Sequence, residues 1–129
     1  MLSYDPAHPL DILSIIGTSA AIAISGIPCE HIIGATKVGY INGEYVANPS
    51  NKDLANSKLE LVVAGTKSSV MMVESEASEL SEEVMLGAVE FGHKTFQPII
   101  DAITKFAKKA GKDKWAEPET LISKDLVKL

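Results

Sequence analysis

Hydrophobic and polar positions along this chain alternate between two rhythms. From Lys58 to Ala77 the sequence KLELVVAGTKSSVMMVESEA reads as two strands. Leu59, Leu61 and Val63 recur at a period of two, and Val70, Met71, Met72 and Val73 form a continuous apolar run that suits a strand covered on both faces. Ala64-Gly65-Thr66-Lys67-Ser68 lies between them, with Gly65 offering the permissive backbone of a tight reversal. Upstream, Ile32 to Ile41 and Glu44 to Ala47 read as a second hairpin about Asn42-Gly43, the strongest short hairpin signal. A helical turn is expected from Asp53 to Ser57.

Helical rhythm flanks these strands. Asp5-Pro6 and His8-Pro9 are helix-start signals, and the pattern predicts a helix from about Pro9 to Ser25. Leu10, Leu13, Ile16, Ala20 and Ile24 make one face while Ile12, Ile15 and Ile22 populate others, so burial on several sides is expected. Gly26 suits a left-handed terminator and Pro28 blocks resumption. After Ser81, a good N-cap, Met85, Val89, Gly92, Phe96, Ile99, Ile103 and Phe106 trace an amphipathic helix that Gly111 ends. Pro98 should kink it near Lys94 or split it. Leu2 and Tyr4 could finish a strand. Residues 112–129 read as a linker anchored by Trp115, followed by a short helix containing Leu121-Ile122 and Leu126-Val127.

Composition narrows the function. The 129 residues suit one domain, and 46% hydrophobic with 22% charged content supports a real core. No apolar run reaches the ~18 residues of a membrane helix. The N-terminus lacks a basic, apolar, small-residue signal, and the abrupt start hints at a piece of something longer. One cysteine, Cys29, excludes an internal disulfide and suits a reducing cytoplasm; after a proline, a packed thiol is the expectation rather than a nucleophile. The net charge is −5, and the twelve basic residues are all lysines. Without arginine, the usual bidentate reader of phosphate and guanine, this piece alone is not expected to bind nucleic acid strongly.

Candidate chemistry in the local motifs is thin. Gly17-Thr18-Ser19 sits mid-helix without the lysine or spacing of a phosphate loop. His8, His31 and His93 form no ligand-spaced pair and read as solvated or packed. Lys105, Lys108 and Lys109 could form an RNA patch, although complementarity to the helix C-terminus is the simpler reading.

Several segments in order carry a family resemblance: LSYDP, IGTSAAIAISGIP, VGYING with EYVANP, KLELVVAGT, and VMMVESEA followed by LSEEVMLGAVEFGH. Together, from about Leu2 to Trp115, they resemble bacterial polynucleotide phosphorylases. The resemblance implies an α+β, ribonuclease PH domain 2-like fold: a four-stranded antiparallel sheet with a buried N-terminal helix and a long C-terminal helix. Residues 1–28 would end the first ribonuclease PH-like subdomain, 29–95 would form the second, and 96–129 would start an all-helical linker. The family degrades RNA from the 3′ end with inorganic phosphate, uses magnesium or manganese, and assembles as a ring-shaped homotrimer in the cytoplasm. It has possible ties to other RNA-degradation machinery and no membrane association.

In that family the working site belongs to a second, similar repeat. Its serine pair would fall here near Leu10 and Asp11, its lysine on Val62, one acid on Glu60 and the other near Leu54 beside Asp53. Leucine and valine remove the hydroxyl donors and the cation that a phosphate nucleophile needs. The resemblance therefore implies a degenerate repeat with no catalytic, cofactor-binding or metal residues of its own. Glu60 and Asp53 read more simply as solvated acids. Apolar surface left on the first helix implies self-association. The rival readings are an independent binding or scaffold module reusing the fold and, more weakly, a stand-alone enzyme using Cys29 or the histidines.

Overall fold

A computed structural model describes residues 3, 5 and 9–116. The expected strand end at Leu2 and Tyr4, His8, and the expected short helix around Leu121 and Leu126 lie outside the described residues. The elements run α1 (Leu10–Ile24), β1 (Gly34–Ile41), β2 (Glu44–Ala47), α2 (Asn51–Leu54), β3 (Leu59–Gly65), β4 (Val70–Ala77) and α3 (Glu82–Ala110). The four strands form one antiparallel sheet in the order β2-β1-β3-β4.

Local chemistry sets the turns. Asn42 and Gly43 both hold positive φ (53° and 86°), the geometry that joins β1 to β2 without splaying them. Gly65 and Gly26 do not serve as left-handed residues. A Cβ at Gly65 would run into the carbonyl oxygen of Ser69, and one at Gly26 into the Trp115 indole, so both are selected for space. The short helix α2 begins earlier than expected because Ser50 and Asp53 form a capping box, in which the Ser50 hydroxyl accepts from the Asp53 N–H.

The two faces of the sheet follow from the strand period. Val38, Leu59, Leu61 and Val63 point to one side and pack with Ala88, Phe96 and Ile100 of α3. Helix α3 comes close because Gly92 has no side chain: a Cβ there would lie 3.0 Å from Val63 and 3.1 Å from Val38. On the other side Ala35 and Ala64 pack with Ile12 of α1, flanked by Ile15, Ile16, Ile33 and Val62.

Four expectations need correction. The apolar run of β4 is not covered on both faces; β4 is the sheet's edge, and Met71 is 68% exposed. Helix α1 is not buried on several sides: Ile12 and Ser19 are buried, while Leu13 is 58% exposed. Of the two outcomes expected at Pro98, a kink or a split, the split does not occur: α3 runs continuously for 29 residues. Buried Phe96 and Ile100 pin both sides of the proline to the same sheet, and the carbonyl it frees belongs to exposed Lys94. Phe106 does not complete the buried stripe. A 29-residue helix is about 43 Å long, whereas eight-residue strands span about 27 Å, so α3 overruns the sheet.

Beyond α3 the chain turns back onto α1. The Lys112 N–H donates to the Ile24 carbonyl (3.0 Å) and the Trp115 N–H to that of Gly26 (2.7 Å). The Lys114 ammonium donates to the carbonyls of Ser25 and Ile27 at 3.0 Å each and of Ala23 at 3.3 Å. It thus supplies the cation that α1's own last turn lacks.

Candidate functional site

The face of the sheet under α1 carries a charged cluster that strand alternation builds. In β1, Lys37 sits directly across from Val62 and diagonal to Glu60, while Glu60 and Val62 in turn pair with Glu76 and Glu74 of β4. Asn48 fixes the Lys37 backbone from both sides: its side-chain oxygen accepts from the Lys37 N–H (3.0 Å), and its own N–H donates to the Lys37 carbonyl (2.7 Å). Helix α1 enters over this row with Asp11 in its first turn. The result is a cleft of about 380 Å³ lined by Asp11, Lys37, Glu60, Val62, Ser75 and the two β4 glutamates.

Lys37 is the centre of it. Its side chain is only 8% exposed, and its Nζ lies 2.8 Å from Asp11 Oδ2 and 2.6 Å from Glu60 Oε1. Burial alone would lower the lysine's pKa. The hydrogen bonds and charges of the two carboxylates outweigh burial and hold it above its usual 10.5. Burial likewise pushes Asp11 up, but the Lys37 ammonium and the Ile12 N–H (2.8 Å) donate to its carboxylate and bring it below the ordinary value of 3.8. The cation is fully engaged, and Glu74 and Glu76 add further negative charge to the walls.

This arrangement brings together three of the positions singled out in the sequence, Asp11, Glu60 and Val62, and leaves out three, Leu10, Asp53 and Leu54. Leu10 is half-buried and does not line the cleft. Asp53 is committed to α2, its Oδ2 accepting from the Ser50 hydroxyl (2.6 Å), with Leu54 beside it. The histidines stay apart. His31 is exposed beside Glu30, and His93 is half-buried with its Nε2 3.1 Å from the Thr66 carbonyl oxygen. Cys29 is exposed rather than packed; its thiol donates weakly to the His31 carbonyl. Lys37 was missed. A lone lysine inside an otherwise apolar strand, four residues from a hairpin turn, was its only sequence signal.

The charge lining this cleft is mostly negative. An oxyanion would meet carboxylates on every charged wall, with the single cation already neutralised. A metal ion would have to displace the Lys37 ammonium from the point where the carboxylates converge. Among the described residues, no three histidine, cysteine or acidic side chains are grouped to hold a metal. Nor is any helix among them long and apolar enough to cross a membrane.

Comparison with known proteins sets this geometry in context. The chain is 57% identical over 115 residues to a polyribonucleotide nucleotidyltransferase of Maricaulis maris, and 58% identical over 113 residues to that of Mesorhizobium japonicum. These matches cover 89% and 88% of the chain but only 16% of each relative. Among solved structures, rice (Oryza sativa) Rrp46 superposes with a TM-score of 0.70 at 20% identity, over 79% of this chain and 49% of that one, a likeness of fold. The family model described as 3′ exoribonuclease family, domain 2, matches residues 31–95, from the end of the α1–β1 connection to the middle of α3, and the chain belongs to that family.

Proposed function

We propose that this chain is the non-catalytic ribonuclease PH-like repeat of a polyribonucleotide nucleotidyltransferase, a phosphorolytic 3′-to-5′ exoribonuclease. The observation that carries the reading is Lys37 locked between Asp11 and Glu60 beside Val62, where the family's chemistry would otherwise operate. In the whole protein, phosphate and magnesium or manganese would act in the companion repeat. This repeat would then pack against the working one and help close a homotrimeric ring around RNA in the cytoplasm, where other RNA-degradation proteins could join it. The exposed outer side of α1 is a surface suited to such packing. The domain division at residues 28 and 95 fits the extent of the family match, with the second boundary inside continuous α3. Identity above half to the named relatives disfavours an independent scaffold module.

The test is direct. The 129-residue chain, incubated with poly(A), inorganic phosphate and either magnesium or manganese, should release no nucleoside diphosphate above a no-protein blank. Turnover that scales with protein concentration would overturn the reading.

A further inference from the structure

Strand β4 is the longer edge of the sheet. It runs eight residues at the end of the order β2-β1-β3-β4, whereas the opposite edge, β2, has four. Every residue of β4 is exposed, including four apolar ones in a row, with Met72 38% and Val73 49% exposed. The ladder fixes which backbone groups are free, because antiparallel bonds alternate along a strand. The Ser78 N–H donates to the Lys58 carbonyl (2.9 Å), and across the sheet the Asn48 N–H donates to the Lys37 carbonyl (2.7 Å). Followed through the registers, both bonds set the backbones of Met72, Glu74 and Glu76 against β3. The N–H and C=O groups of Val73, Ser75 and Ala77 are therefore directed outward, to where a fifth strand would lie.

Proteins blunt an edge that must stay single with lysine, proline, brevity or a cover. Val70–Ala77 holds neither residue, and the register shift at Gly65 disturbs only its start. Its side chains also specify a companion. Met72, Glu74 and Glu76 lie on the α1 face, in register with Ala64, Val62 and Glu60. The two glutamates line the cleft over Lys37, where four carboxylates meet one ammonium already held by two of them. A strand added to β4 would set alternate side chains beside that cleft, and the uncompensated charge there selects basic ones. Opposite Met72 and Val73 it would carry apolar ones. A second copy of this chain matches poorly: antiparallel β4–β4 pairing gathers four glutamates along one seam, and registers centred on Glu74 or Ser75 set them directly opposite each other. A nucleic-acid strand would meet the same acids.

We propose that β4 is a docking edge for an extended segment of another polypeptide, added antiparallel as a fifth strand, with basic side chains opposite Glu74 and Glu76 and apolar ones opposite Met72 and Val73. Backbone bonds to Val73 and Ser75 would supply the affinity, and the acidic cleft the selectivity. Neither depends on whether this repeat turns over RNA.

The probe is a capped, fluorescein-labelled hexapeptide, RTRVLV, whose arginines meet Glu76 and Glu74 and whose leucine meets Met72 in this register. Titrated with the full chain at low salt, its anisotropy should rise and saturate with a Kd below about 1 mM. The E74Q/E76Q variant should bind about tenfold more weakly, two exposed charge pairs being lost. A peptide with glutamates in place of the arginines should not bind. The backbone arm leaves the protein untouched. N-methylation of the threonine and the first valine, whose N–H groups would face β4, should abolish binding, while N-methylation of the second arginine and the leucine, which face away, should be tolerated. Leu13→Gln, on the outer side of α1, should bind as the parent does. No saturable binding, equal binding by E74Q/E76Q, or equal binding by the peptide methylated on its β4-facing nitrogens would each overturn the proposal. So would displacement of the peptide by a dodecamer of rA. Self-association of the chain that Val73→Lys abolishes, with the peptide left unbound, would give the edge to a second copy instead.

Discussion

The two faces of the sheet are built on opposite principles. The α3 face is dry, with Val38, Leu61, Val63 and Phe96 fully buried and a glycine letting the helix approach. The α1 face has a thin apolar patch of Ile12, Ala35 and Ala64, and then a lysine between two carboxylates. One face needs nothing more to be stable. The other spends its best-positioned residues on a charge cluster, and its helix leaves leucine in solvent. Stability and the remnant of a site are thus separated by the thickness of one sheet. The largest effect should therefore come from the α3 face. Phe96→Ala is expected to cost about 3–5 kcal/mol, the range for truncating a fully buried aromatic, read as a lower urea midpoint with unchanged m.

Lys37 should come next. Lys37→Ala strands two carboxylates, but Asp11 and Glu60 are 42% and 45% exposed, so water solvates part of the charge. A loss of about 2 kcal/mol is expected, below the value for a fully buried broken pair. Lys37→Met, which keeps the apolar stem, should lose about half as much. The same cluster sets two pH windows. Asp11 is lowered in the folded state, so its contribution is present above the unfolded value of 3.8 and fades as pH falls through the lower folded value. Lys37 is raised, so its contribution is complete below 10.5 and is lost as pH climbs through the folded value. Urea midpoints at both extremes should fall in the parent chain and flatten in Lys37→Met. A pH profile identical in the two proteins would show that the cluster is a spectator.

These contrasts also show how far the sequence could be read. Both hairpins, both long helices and the antiparallel sheet were legible because alternation, Asn42-Gly43 and the Ser81 cap each act locally. The site was half legible. Asp11, Glu60 and Val62 could be placed by resemblance, but Lys37 could not, since its partners lie 26 and 23 residues away on different elements. What failed was coverage. The Val70–Val73 run looks the same whether a strand is central or, as here, at an edge, and strand order is a property of the whole sheet.

A smaller effect should come from the strap across the end of α1. Lys114 makes a charge-assisted contact with carbonyls that no residue of the helix serves, yet its head group is exposed. Lys114→Ala should destabilise by about 1 kcal/mol, partly screened at high salt. Lys112→Ala, in which only the side chain is lost while the backbone bond to Ile24 remains, should do less.

The least effect should come from the outer side of α1, and it sharpens the comparison most. Leu13 lies one residue from buried Ile12 and carries the same apolar weight in the sequence, but it faces solvent. Leu13→Gln keeps a good helix former and removes little buried area, so its unfolding free energy should stay within about 0.5 kcal/mol of the parent. Ile12→Ala, on the adjacent position, should cost about 2 kcal/mol or more. Were Leu13→Gln to cost as much as Ile12→Ala, α1 would have to be covered on both sides in solution. The contrast between a finished face and an open one would then collapse, because the partner of the open face would already be present in the isolated chain.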